Sequence, residues 1–126
     1  NKKGGFMTPN KEDYLKQLYK LGAEGDMVSN KSLSHALGVS PASVTEMLTK
    51  LKRDGYIELL PYKGSRLTER GAALAAELIK NHRLWEVFLV RILNMSPEEA
   101  HENAEMLEHS TSAEVCSRLA DFLGNP

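Results

Sequence analysis

Near the end of the sequence, carboxylates and imidazoles gather at helical spacing. In the stretch His101-Glu102-Asn103-Ala104-Glu105-Met106-Leu107-Glu108-His109, a helix sets Glu105, Glu108 and His109 at i, i+3 and i+4, on one face. Two carboxylates held that close disfavour each other's charged forms unless a positive charge stands among them. His101 lies one turn earlier, beside Glu105. Oxygen and nitrogen donors without a thiolate suit a divalent cation such as Mn(II), Fe(II) or Zn(II). Upstream, His82 and Glu86 form another i, i+4 pair. The plain alternatives are a solvated acidic helix face and a simple intrahelical pair.

The elements that must carry these groups are mostly helical. Thr8-Pro9 starts a first helix as N-cap and first-turn proline, with Tyr14, Leu15, Leu18, Tyr19 and Leu21 at helical spacing and Gly22 at its end. Asp13 lies on it, where an acid also suits the helix dipole. Ser29 caps a short helix with Leu33, Ala36 and Leu37 as its stripe. Gly38-Val39-Ser40-Pro41 turns into a third helix, to about Arg53, with Val44, Met47, Leu48 and Leu51 inward. Two short helices across a glycine turn form a helix-turn-helix. Ser40, Pro41, Ala42, Ser43 and Glu46 then mark the end of the second helix that meets base edges, while Thr45, Thr49 and Lys50 reach bases or phosphates. Tyr56 to Leu60, a turn-rich Pro61 to Ser65, and Arg66 to Thr68 predict a hairpin, a wing with Lys63 and Arg66 for the phosphate backbone.

Thr68 caps a long helical run to Leu93, apolar over much of its circumference late on, as for a helix packing on its own domain and on a second subunit. Ser96-Pro97-Glu98-Glu99 is a capping box opening the helix that carries the acidic stretch. After Ser110-Thr111-Ser112 a last helix bears Val115, Cys116, Leu119, Phe122 and Leu123.

The 126 residues are 41% hydrophobic and 26% charged, an ordinary globular composition. The net charge of −1 conceals an asymmetry. Residues 1–70 carry twelve Lys and Arg against eight Asp and Glu, whereas residues 71–126 carry four against nine. A basic front and an acidic back fit a nucleic-acid reader joined to a cation-binding part. A lone cysteine, Cys116, excludes an internal disulfide and a thiolate zinc cluster, and its apolar setting makes it a core residue. No apolar run approaches the roughly 20 residues of a membrane span and no signal-peptide pattern opens the chain, so a cytoplasmic protein without a membrane partner is expected.

Several stretches in order resemble the diphtheria toxin repressor family, its manganese-responsive branch most closely: Thr8 to Leu15, Val39 to Met47, Leu67-Thr68, His82 to Leu89 and Glu105 to His109. The resemblance implies a homodimeric, metal-activated repressor that binds palindromic double-stranded operator DNA and controls metal-uptake genes, with no organic cofactor. It implies a mainly α fold with a small β wing: a leader over 1–7, a winged helix-turn-helix domain over 8–72, and a helical dimerisation and metal-binding domain over 73–126. Carried over by position, Asp13, Glu105, Glu108 and His109 look like the primary, activating site, and His82, Glu86 and His101 like the second. The iron-responsive branch has Met and Cys where this chain has Asp13 and Glu105. Harder carboxylates favour Mn(II), with Fe(II), Zn(II), Cd(II) or Co(II) as substitutes. Two departures stand out. Lys16 replaces a glutamate of the short manganese regulators, so their binuclear cluster does not transfer. Longer members complete the second site from a C-terminal SH3-like domain, which this sequence does not reach, so a truncated form is expected. The competing expectations are a winged-helix regulator of a small organic ligand and a di-metal carboxylate enzyme built on His82/Glu86 and Glu105/His109.

Overall fold

The computed structural model describes residues 6–22 and 25–126. Most of the expected leader, residues 1–5, lies outside them. The elements run α1 (Pro9–Leu21), α2 (Asn30–Leu37), α3 (Pro41–Arg53), β1 (Ile57–Leu60), β2 (Gly64–Leu67), α4 (Glu69–Arg91), α5 (Pro97–Leu107) and α6 (Ala113–Phe122). The chain divides into two compact units, Asn1–Ala76 and Glu77–Pro126, with the division inside α4. Among the described residues no helix is long and apolar enough to cross a membrane.

Local chemistry starts the first three helices. The side chains of Thr8, Ser29 and Ser40 accept from the backbone N–H groups of Lys11, Ser32 and Ser43, and Pro9 and Pro41 occupy first-turn positions where no N–H is needed. Their inward stripes close one core, made of Tyr14, Leu15 and Leu18 from α1, Leu33 from α2, Val44, Leu48 and Leu51 from α3, with Val28, Ile57 and Ala75. Three residues expected in those stripes are exposed instead: Tyr19, Leu21 and Ala36. Each sits at the edge of its helix's apolar arc, and the core is filled without it.

The wing is an antiparallel pair in the register Ile57↔Leu67 to Leu60↔Gly64, so β2 starts two residues before the expected strand and stops at Leu67. Val28 adds an isolated bridge: its N–H donates to the Ser65 carbonyl at 2.7 Å, and the Ser65 N–H returns to Val28 at 2.9 Å. That close approach needs Gly64, where a β-carbon would stand 2.0 Å from the Val28 carbonyl oxygen and φ is +106°.

A buried ion pair ties this unit together. Lys11 Nζ lies 3.2 Å from Asp54 Oδ2, with side chains only 7% and 3% exposed, and also donates to the Phe6 carbonyl at 2.8 Å. Asp54 is the C-cap of α3. Its carbonyl accepts from Arg70 Nη1 at 2.8 Å, and the neighbouring Gly55 carbonyl accepts from the Thr68 hydroxyl. The end of α3 is thus held by α1 on one side and by the start of α4 on another.

In the second unit Leu84, Cys116, Leu119, Ala120 and Leu123 form a separate core, with Trp85, Val87 and Phe88 packed on it. The capping box at α5 is complete: Glu99 N–H donates to Ser96 Oγ and Ser96 N–H to Glu99 Oε1. α4 stops at Arg91, two residues short of the expected Leu93, before Asn94 at φ +60°.

Breaking the buried pair tests the first unit's core. Lys11→Met leaves Asp54 with its exposed Arg53 contact, and should lower unfolding free energy by about 2 kcal/mol in urea titrations with an unchanged m-value. An unshifted midpoint would show that the pair contributes nothing.

Candidate metal centre

The acidic stretch does not form one continuous α-helix. α5 ends at Leu107, and Glu108–Ser110 form a 3₁₀ turn. The cause lies outside the stretch. Thr111 Oγ1 donates to the Leu107 carbonyl at 2.6 Å and accepts from Trp85 Nε1 at 2.8 Å, drawing the chain into a tighter turn against α4. Glu105, Glu108 and His109 are therefore not simply the i, i+3 and i+4 positions of one α-helix. Glu108 turns inward and is 1% exposed.

His82 is the centre of what results. On one side of its ring, Nδ1 lies 2.6 Å from Glu108 Oε1 and 4.0 Å from Glu105 Oε2. On the other, Nε2 lies 3.1 Å from Glu86 Oε2 and 3.2 Å from His101 Nδ1, while Glu86 Oε2 and His101 Nδ1 are 2.9 Å apart. His101 Nε2 reaches Glu105 Oε2 at 3.4 Å, and His109 Nε2 stands 3.5 Å from Glu108 Oε2. Within the second unit, two sets of three ligand atoms each lie within 4.8 Å: His82, Glu86 and His101, and His82, Glu105 and Glu108. Asp13 lies on α1 in the first unit, half-buried.

The donors fit a cation. A triangle with edges near 3 Å has the size of one face of an octahedron with metal–donor distances of about 2.1 Å. His82 Nε2, Glu86 Oε2 and His101 Nδ1 form such a triangle. Burial pushes the Glu86 carboxyl up, but hydrogen bonding to His101 and attraction to His82 outweigh it and hold the pKa below the usual glutamate range. Glu86 is therefore ionised near neutrality and offers its oxygen without first losing a proton. Glu108 also suits His82 as an orienting partner. A carboxylate on Nδ1–H fixes the tautomer that leaves the Nε2 lone pair for a metal.

In the first unit Ser40, Pro41, Ala42, Ser43, Thr45, Glu46 and Lys50 are all exposed on α3, as are Lys63 and Arg66 on the wing. Some are already occupied. Ser40 Oγ caps α3, Thr49 Oγ1 donates to the Thr45 carbonyl, and Arg66 Nε pairs with Glu58 at 2.7 Å across the strands. Residue spacing gave no sign of the Glu58 contact, because it depends on the hairpin register.

Residues 6–65 match the family described as iron dependent repressor, N-terminal DNA binding domain. Residues 68–126 match that described as iron dependent repressor, metal binding and dimerisation domain. The HTH-type transcriptional regulator MntR of Lysinibacillus sphaericus (strain C3-41) is 36% identical over 116 residues, spanning 92% of this chain and 83% of that protein. The chain belongs to the iron-dependent repressor family. Its fold and domain order are those expected of the diphtheria toxin repressor lineage, a family of transcriptional repressors rather than enzymes, which removes the di-metal enzyme expectation. The structure of the manganese regulator SloR is similar at 43% identity and a TM-score of 0.81, covering 95% of this chain. ScaR with bound Zn2+ is similar at 44% and 0.80, covering 94%. The chain spans 56% and 55% of those two solved chains.

His82 belongs to both donor sets of the second unit, whereas His101 belongs to one. Calorimetric titration with Mn(II) should therefore show both His82→Ala and His101→Ala weakening one binding event at least tenfold, with only His82→Ala also weakening a second, through the lost contact to Glu108. Identical isotherms for the two variants would contradict the shared role of His82.

Proposed function

We propose that this protein is a Mn(II)-activated transcriptional repressor that binds palindromic operator DNA as a homodimer and represses metal-uptake genes in the cytoplasm. The observation that carries the proposal is the convergence of His82, Glu86, His101, Glu105 and Glu108, in the part of the chain matched to metal binding and dimerisation, which follows in sequence a winged-helix unit with an exposed reading helix. SloR is described as a manganese regulator, and ScaR has been solved with Zn2+. In the same proposal Fe(II), Zn(II), Cd(II) or Co(II) substitute for Mn(II), as oxygen and nitrogen donors allow.

In this proposal Asp13, Glu105, Glu108 and His109 form the primary site, and His82, Glu86 and His101 the second. Carboxylates at positions 13 and 105 make the primary set hard, which supports Mn(II). A bound cation neutralises these acids and links a ligand in residues 8–72 to three in residues 73–126. Asp13 thereby constrains the DNA-reading domain, and Glu105, Glu108 and His109 constrain the dimerisation domain. Two recognition helices, one per protomer, must meet half-sites about 34 Å apart or a multiple of it. With the acids mutually repelling, the domains sample many separations and the competent fraction falls. Exposed apolar side chains in the second unit, Val90, Ile92, Leu93, Val115 and Phe122, support a dimer through that unit.

Operator binding by fluorescence anisotropy, with and without Mn(II), tests the proposal. Mn(II) should tighten binding by the wild type by about 5- to 150-fold, the usual range of coupling between sites, and Asp13→Ala or Glu105→Ala should lose most of that gain. Full metal-dependent binding by both variants would rule out the clasp.

A further inference from the structure

The tip of the wing combines two unfavourable features in one residue. Lys63 N–H donates to the Leu60 carbonyl at 3.1 Å, closing a four-residue turn with Pro61 and Tyr62 in the middle. Proline fixes φ near −65° at the first central position, and Tyr62 follows at φ +66°. That pairing is a type II turn, whose second central position favours glycine or asparagine. An aromatic residue in left-handed backbone is strained. The side chain gains nothing in return from the fold. Tyr62 is 108% exposed, and among the described residues it makes no hydrogen bond or ion pair.

A residue that costs the free protein strain and solvation, and that glycine would serve better, has its use in a complex. The surroundings indicate the partner. Leu60, 43% exposed, and exposed Pro61 extend the apolar tip, and Lys63 stands beside it. Lys52 and Lys63 line a hollow next to Tyr62, with Ser29 and Asn30 at the start of α2. An apolar, ring-bearing tip flanked by lysines complements the deoxyribose walls of a DNA minor groove with phosphates on either side. An acidic or apolar protein surface would satisfy only half of it.

We propose that Tyr62 is a DNA-contacting residue of the wing, its ring seated against deoxyribose in the minor groove beside the segment read by α3. The phenol O–H then donates to the groove floor, where A·T pairs present only acceptors and the guanine amino group obstructs. Lys63 supplies sequence-independent charge, and Tyr62 supplies contact and an A·T preference at the operator flank. This inference rests on the proposed DNA-binding function.

Selection from random duplex DNA by the Mn(II)-loaded wild-type protein provides the operator. Recovery of no sequence would contradict the parent function, and the Tyr62 contact would fall with it. On the selected operator, Tyr62→Gly should bind about tenfold more weakly while its melting temperature stays equal or rises. Tyr62→Phe should keep most of the affinity and lose discrimination between A·T and G·C at the flank. Lys63→Ala should reduce the salt dependence of binding by about one ion, which Tyr62→Gly leaves unchanged. Wild-type affinity in Tyr62→Gly would overturn the contact, and would point to a protein partner for the tip. A fall in its melting temperature would overturn the premise that tyrosine burdens the fold.

Discussion

The imidazole of His82 is the interaction on which the second unit depends. Its two nitrogens face different carboxylates, Glu108 through Nδ1 and Glu86 through Nε2, with His101 completing the Nε2 side. A buried carboxylate such as Glu108 is costly without partners, and His82 and His109 are among those it has in the protein alone. Ala100 and Ala104 are fully buried on α5, so small side chains allow close packing there and leave His101 and Glu105, each next in sequence, in reach of His82 and Glu86. Both sets of donors therefore meet in one ring. Any change in what holds Nε2 alters the tautomer available to Glu108, so the two sets cannot be independent.

The first unit works differently. Its recognition helix ends in a dense set of fixed contacts: Lys11 to Asp54, Arg70 to the Asp54 carbonyl, and Thr68 to the Gly55 carbonyl. Arg70 also stacks on Tyr56 at 4.3 Å and bonds its hydroxyl, while Gly71 passes so near the Tyr56 carbonyl that a β-carbon would lie 2.1 Å from it. A reader tied at so many points has little internal freedom. What remains for a cation to control, under the proposed function, is the separation of two rigid readers. Asp13, two residues from Lys11 on α1, is well placed in sequence for that, because whatever holds it acts on a helix already bound to the end of α3.

Much of this was legible in the residues because it is local. Thr8, Ser29, Ser40, Ser96 and Ser112 each cap a helix through the backbone N–H three positions on, and the helix-turn-helix and wing follow from short-range turn chemistry. The 3₁₀ turn at Glu108 was not, since it depends on Trp85 reaching Thr111 across 26 residues. The same separation hides the His82–Glu108 contact, and 43 residues lie between Lys11 and Asp54. Positions His82, Glu86, His101, Glu105 and Glu108 could be named as ligands from residue type, but their sharing of one histidine needed the packing of α5 on α4. Tyr62 is a different case. Pro61 marked a turn, and nothing about a tyrosine signals left-handed backbone.

The most direct measurement of the central claim is the affinity of the protein for Mn(II) with and without saturating operator DNA. If cation and operator select the same arrangement, DNA must tighten Mn(II) binding by the factor by which Mn(II) tightens DNA binding, about 5- to 150-fold. Equal Mn(II) affinity in the two states would mean that the metal does not set the separation of the readers.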